Sequence, residues 1–259
     1  MSSETIVFFH AHPDDEAIFT GITMRRLAEA GHRVVLAMAT SGELGEALVP
    51  LRPGETTAER RLAELEAACG VLGVDRLVLF GHRDSGMAGW ADNEHPNALA
   101  AADSSKLGRR LARLCAEESA AAIVHYDNHG IYGHPDHIAV HHIGDLAARF
   151  AQITAYHSTV DREHLHLAQQ EADGDHLVHE ANSVHTAPYG RVTVEIPLAV
   201  AGTERTLAAK RTAMAAHASQ ILPASIELTG FADVYGLEWY LRDGPAGVLD
   251  QLGNVHAIV

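Results

Sequence analysis

Two short stretches of the chain combine imidazole and carboxylate at spacings that can hold a metal ion and move a proton. The first is His10-Ala11-His12-Pro13-Asp14-Asp15-Glu16, directly after the apolar run Ile6–Phe9. Pro13 biases His12 toward an extended backbone. The adjacent side chains of Asp14 and Asp15 cannot both point the same way. One can therefore face a cation while the other faces the water bound to it. Carboxylates crowded into one turn repel each other unless a cation compensates them. Acids at a helix N-terminus, favoured by the macrodipole, account for one of these residues but not for the whole set. The second stretch is Tyr132-Gly133-His134-Pro135-Asp136-His137, with His141 and His142 beyond it. Pro135 suits the first turn of a helix. His134 and His137 can share a helical face, and so can His137 and His141.

The residue types point to a reaction class. Imidazole and carboxylate without thiolate suit Zn²⁺, and Fe²⁺ or Co²⁺ accept the same ligands. Three protein ligands leave a position open for water, as a catalytic zinc site requires. Zinc brings the pKa of that water to roughly 7. A spare carboxylate can take the proton and hand it to a leaving amine. A neighbouring imidazole can stabilise the oxyanion. Together these groups can hydrolyse an amide. The chain has no G-x-G-x-x-G, G-x-S-x-G or G-x-x-x-x-G-K-[ST], so dinucleotide, serine-elbow and P-loop chemistry lack their motifs.

The elements that must position these residues alternate. Strands are expected at Ile6–Phe9, Val34–Ala39, Leu77–Phe80, Ala122–Tyr126 and Ile153–Tyr156. Helices are expected at 17–30, Thr57–Leu72, Ser104–Glu117, Pro135–Phe150 and Glu204–Ser219. Gly31 and Gly73 are suited to ending the first two. Such alternation implies parallel strands joined by right-handed crossovers. The expected class is therefore α/β: an open, mostly parallel sheet with helices on both faces and a C-terminal elaboration. Its ligand crevice should lie beyond the carboxyl ends of the strands. Both motifs follow an expected strand, so both should reach that crevice. Residues 157–190 are rich in His, Asp, Glu and Gln and break the pattern. They read as a solvated loop or lid. Val192–Ile196 reads as a further strand, and the tail carries Trp239 and Tyr240. No repeat or linker divides the chain, so a single domain over 1–259 is expected.

The motifs A-H-P-D-D-E at Ala11–Glu16 and H-P-D-H at His134–His137 resemble the LmbE/PIG-L family of zinc-dependent de-N-acetylases. The likeness covers most of the chain up to Phe150, including Thr40–Glu46, Arg61–Glu64 and Arg83–Gly86, and returns at Ala216–Gln220. It implies a Rossmann-like fold, with His12, Asp15 and His137 as zinc ligands. It implies Asp14 as general base and later acid, and His134 as the electrostatic partner of the tetrahedral intermediate. Asp136 would orient His134, and Tyr132 would lie near the substrate carbonyl. Arg61 and Asp84 would contact sugar hydroxyls. His217 would line the pocket or cap the helix before it. The implied reaction is hydrolysis of an N-acyl, first of all N-acetyl, amino sugar or glycoconjugate to acetate and free amine. A thiol-conjugate amidase of the mycothiol type and a non-catalytic sugar- or metal-binding relative are the other readings.

Composition fits a soluble enzyme. Of 259 residues, 47% are hydrophobic and 20% charged, which is ordinary globular usage. The net charge of −15 repels phosphate backbones and argues against a nucleic-acid partner. Cys69 and Cys115 are too few for a disulfide framework and read as buried thiols. No apolar run is long enough for a membrane span, and the N-terminus lacks the basic start of a secretory signal. A cytoplasmic protein acting on a small molecule is expected. Self-association into a homo-oligomer is compatible with all of this and specified by none of it.

Overall fold

The computed structural model describes residues 3–165 and 190–253. Its centre is β1 (Thr5–His10), in which all six residues are buried. Burial on both faces is why Ile6–Phe9 reads as an unbroken apolar run. Around it lie β2 (Arg33–Thr40), β3 (Arg76–His82), β4 (Ala120–Tyr126), β5 (Thr154–Thr159), β6 (Leu198–Ala201) and β7 (Leu237–Asp243). The sheet order is β3-β2-β1-β4-β5-β7-β6. The first five strands pair in parallel, and β7 pairs antiparallel with both β5 and β6. Chain direction across the sheet reverses between β1 and β4, the switch point where such sheets open a ligand crevice.

The connecting helices are α1 (Asp15–Glu29), α2 (Thr57–Leu72), α3 (Ser104–Glu117), the short α4 (Gly130–Gly133) and α5 (Pro135–Ala151), followed after β6 by α6 (Glu204–Ala216). α1 packs against α2 and α6, while α3 packs against α5, which gives a helical layer on each side of the sheet. Local chemistry sets the boundaries. Thr56 and Glu59 form a reciprocal capping box at the start of α2, and Gly73 ends it at φ 82°. Pro135 occupies the first turn of α5, where its missing N–H costs nothing.

Two expectations need correction. Val192–Ile196 is not a strand: Thr193–Glu195 forms a 3-10 turn, and the strand, β6, begins at Leu198. The fifth strand runs past Tyr156 to Thr159, so the start of the expected loop at 157 is sheet. The rest of the expected lid, 166–189, lies outside the described residues.

Gly108 sets how closely α3 approaches α5. A Cβ there would lie 2.7 Å from Leu146 Cβ and 3.3 Å from the Ile143 carbonyl oxygen. Gly108→Val is expected to force the helices apart and to cost about 1–3 kcal/mol. The check is the midpoint of a denaturant titration. An unchanged midpoint would mean that the pair repacks freely.

Candidate active site

β1 delivers the first motif to the crevice and β4 the second, through α4 and the N-terminus of α5. Asp14 lies just before α1 with φ 125°, a conformation L-residues rarely hold without compensation. The compensation is visible. The Asp14 N–H donates to Glu16 Oε2 at 3.0 Å, and Glu16 Oε1 pairs with His217 Nε2 at 2.6 Å. His217 occupies the C-cap of α6 with its ring turned to Glu16. The helix-end position and the inward-facing ring thus belong to one residue.

The expected ligand trio comes together. Asp15 Oδ1 lies 3.4 Å from His137 Nε2, and Asp15 Oδ2 lies 3.6 Å from His12 Nδ1. Tyr126 Oη and the His12 N–H both donate to Asp15 Oδ2, at 2.7 and 2.8 Å, leaving Oδ1 turned toward His137. The His12 Nε2 lies 3.0 Å from Asp136 Oδ2 and its Nδ1 faces Asp15; burial lowers the His12 pKa, but Asp136, Asp15 and Asp84 together raise it well above the usual imidazole range. A carboxylate behind the far nitrogen is the usual way a metal-binding imidazole is fixed. The 3.4 Å between Asp15 Oδ1 and His137 Nε2 matches the edge of a tetrahedron with bonds near 2.1 Å, about 3.4 Å, whereas His12 Nδ1 faces the other oxygen, Oδ2. The donor types gathered here, imidazole and carboxylate, are those a borderline divalent cation takes.

His134 also lies close, with ring nitrogens of His12, His134 and His137 within 4.8 Å of one another. Its own bonding separates it from the other two. His134 Nδ1 accepts the Asp136 N–H at 3.1 Å, so the neutral ring carries its proton on Nε2 and is a donor there. Burial, with His12 and His137 nearby, holds its pKa well below the usual imidazole range. Asp136 hydrogen-bonds His134 through its backbone N–H, while its carboxylate bonds His12 and the N–H and hydroxyl of Ser85 and has an oxygen within 4.8 Å of a His134 ring nitrogen.

Charge explains the rest of the shell. For Asp15 burial pushes the pKa up, but His137 and His12 together hold it well below the usual carboxylate range. Burial pushes the Asp14 carboxyl up to about 7; Arg61 pulls it down and Asp15 pushes it further up. Arg61 donates to Asp14 Oδ2 at 3.1 Å and to the Pro13 and Gly42 carbonyls at 2.6 and 2.8 Å. It lines the cleft, yet its guanidinium is engaged in fixing the Asp14 turn. Asp84 Oδ1 accepts the Gly86 N–H at 2.8 Å and lies 3.7 Å from His12 Nε2. Tyr132 Oη lies 3.4 Å from His137 Nε2 at the cleft wall.

These side chains open into a cavity of about 300 Å³ whose far wall is apolar, formed by Met87, Trp90, Met214, Ile221, Leu222 and Tyr235. A larger cavity of about 890 Å³ runs along edge strand β3 past Lys106, Arg110 and Arg113, away from both motifs. Sequence reasoning missed Tyr126, whose ring stacks on His137 at 4.3 Å between centroids, and Ser85. Tyr126 had a usable signal, as a hydroxyl at the end of a buried strand that leads into the second motif. Ser85 had none beyond its neighbours.

Comparison with known proteins agrees with this geometry. The family model described as GlcNAc-PI de-N-acetylase (PIG-L) matches residues 7–148. A 1D-myo-inositol 2-acetamido-2-deoxy-alpha-D-glucopyranoside deacetylase of Thermomonospora curvata is 37% identical, over 93% of this chain and 91% of that protein. The protein of the same name from Salinispora arenicola is 36% identical, over 90% and 81%. Among solved structures, the N,N'-diacetylchitobiose deacetylase of Pyrococcus horikoshii superposes with TM-score 0.58 at 17% identity, covering 93% of this chain and 84% of that one. A 4-carboxy-2-hydroxymuconate hydratase from a Pseudomonas shares the fold at TM-score 0.52 and 16% identity, over 95% and 98%. The fold alone therefore does not fix the reaction. The family model spans more than half of the chain and the relatives nearly all of it, and the chain belongs to the GlcNAc-PI de-N-acetylase (PIG-L) family.

Proposed function

We propose that the chain hydrolyses the acetamide of a small glucosaminyl-inositol-type amino sugar, releasing acetate and the free amine. Deacetylation is the reaction in the names of its family and of the curated relatives, and the chain is an amide hydrolase of this kind. The names of those relatives carry the inositol-linked sugar, and Asp14 supports the mechanism: it lines the cleft next to Asp15 with one carboxylate oxygen 3.1 Å from Arg61, placed to act as a general base.

His12, Asp15 and His137 would hold the cation, Zn²⁺ first, with Fe²⁺ or Co²⁺ compatible with the same donors. When bound, such a cation lowers the pKa of water and polarises the amide carbonyl. Asp14 takes the proton of the attacking water and delivers it to the departing nitrogen. The His134 Nε2–H donates to the carbonyl oxygen as negative charge gathers on it. Asp136 fixes His12 from behind, and Arg61 holds the Asp14 turn. Tyr132 and Asp84 flank the space where the acetamide and sugar would lie. The apolar wall with Met87, Trp90 and Met214 also suits a bulkier acyl group, which keeps an amidase acting on a thiol conjugate as the second reading.

An amine-release assay with zinc-loaded protein decides between them. Acetate and amine from an N-acetylglucosaminyl inositol are the expected products. Cleavage of a bulky conjugate alone would favour the amidase, and binding without any amine would reduce the chain to a binding relative. His12→Ala and His137→Ala are each expected to lose the cation from this site. Undiminished metal affinity at this site in either variant would reject the ligand assignment.

A further inference from the structure

A second cluster of imidazoles lies apart from the cleft, where β4, β5 and α5 meet. His125 on β4 and His157 on β5 are register partners on adjacent parallel strands. His141 and Asp145 lie one turn apart on α5. One ligand atom from each of the four falls within 4.8 Å of all the others. Asp145 is the hub: its Oδ1 lies 3.0 Å from His157 Nε2 and 3.6 Å from His125 Nε2, and its Oδ2 lies 3.8 Å from His141 Nε2.

The hydrogen bonds around the cluster settle where the protons are. His125 Nδ1 and His141 Nδ1 each lie 3.0 Å from the Tyr126 carbonyl oxygen. A carbonyl only accepts, so both rings carry their proton on Nδ1, and both Nε2 lone pairs face inward. His125 is wholly buried, and its Nε2 has no hydrogen-bond partner. His157 Nε2 and Asp145 Oδ1 face each other at 3.0 Å, and neither has a partner beyond that pairing. A buried polar atom without a partner is costly. Here several such atoms, acceptors for the most part, point at a common centre. The nearby Arg149 guanidinium reaches Asp145 Oδ2, the oxygen that also faces His141, at 3.4 Å and is itself mostly exposed. His142 meets the His141 ring edge to face, with centroids 5.3 Å apart.

We propose that His125, His141, Asp145 and His157 form a second divalent-cation site, of the tetrahedral Zn²⁺ type, that fastens α5 to β4 and β5. Three imidazoles and one carboxylate fill a tetrahedral shell, so the site is closed and structural, with no position for substrate. The Asp145 Oδ1 separations from His157 and His125, 3.0 and 3.6 Å, bracket the ~3.4 Å edge of such a shell. Tyr126 supplies the outer hydrogen bonds that fix two of the ligands. Burial, with His157 and His141 close by, keeps His125 neutral, as a ligand must be. Gly144 makes room, since a Cβ there would run into the His125 ring. The site would also brace the helix whose first turn carries His134 and His137. The inference does not depend on the reaction proposed above.

The test is Co²⁺ uptake by chelator-stripped protein, read as bound metal per chain and as the intense visible bands of tetrahedral Co²⁺. The double variant His12→Ala/His137→Ala, with the cleft site disabled, is expected to retain one tetrahedral Co²⁺ and to melt higher when it is added. Adding His157→Gln or Asp145→Asn to that background should abolish both effects. In the otherwise native chain, His157→Gln should lower uptake by one equivalent. Should the cleft-disabled variant fold but take up no Co²⁺, or should His157→Gln and Asp145→Asn leave uptake unchanged, the site does not exist.

Discussion

Asp14→Asn is expected to keep the fold and the bound cation while losing about 10²–10⁴-fold in kcat, the range typical for removing a general base. Asparagine is the right replacement because the position is strained. With φ at 125°, alanine would add a backbone penalty to the chemical one, whereas asparagine tolerates positive φ nearly as well as aspartate. The amide oxygen can still accept from Arg61 Nη2, and the Asp14 N–H can still reach Glu16. What disappears is a basic oxygen. Metal content, circular dichroism and single-turnover rates should be measured on one preparation. An unchanged rate removes Asp14 from the reaction. Lost metal with an intact fold makes Asp14 a ligand and returns the base to the unassigned groups.

That prediction was accessible from the sequence because the motif is local: His12, Asp14 and Asp15 leave the end of one buried strand together. The strand pattern was legible for the same reason, since central parallel strands read as unbroken apolar runs. Legibility fell where burial is polar. His157, Ser158 and Thr159 belong to β5, yet their composition reads as a solvated loop, because their partners are other polar groups rather than a hydrophobic layer. Ser158 pairs with Tyr240 across the antiparallel seam, and His157 turns to Asp145. The partners of Asp136 were only partly legible for a similar reason. Proximity in sequence pointed to His134, which its backbone N–H reaches, but the helical turn also sends its carboxylate to His12 and Ser85. The Ala216–Gln220 element was recognisable without its mechanism. The structure supplies it: His217 meets Glu16, Ser219 meets Glu64, and Gln220 lines the cleft.

A deeply buried lysine–glutamate pair was invisible in the sequence, and it carries the largest expected stability effect. Lys210 on α6 and Glu238 on β7 meet at 2.8 Å with both side chains 1% exposed. Neither position stands out, because a lysine in a helix and a glutamate beside Trp239 both read as surface. Glu238 also accepts the N–H groups of Ile22 and Thr23 in α1 at 2.8 Å each, and the Thr23 hydroxyl at 2.7 Å. One carboxylate therefore ties α1, α6 and the antiparallel edge of the sheet together. Glu238→Ala is expected to destabilise the fold by about 3–5 kcal/mol, because it strands a buried ammonium without a counter-ion. Lys210→Met should cost less, since the α1 donors and the Thr23 hydroxyl still satisfy the carboxylate. The double variant Lys210→Met/Glu238→Ala should be more stable than the sum of its single changes implies, because removing both charges removes the unpaired one. Denaturant titrations of the three variants measure that coupling directly. Strict additivity would mean that the pair is solvated in solution and that α6, which leads into the cleft wall at Gln220 and Ile221, is held by packing alone.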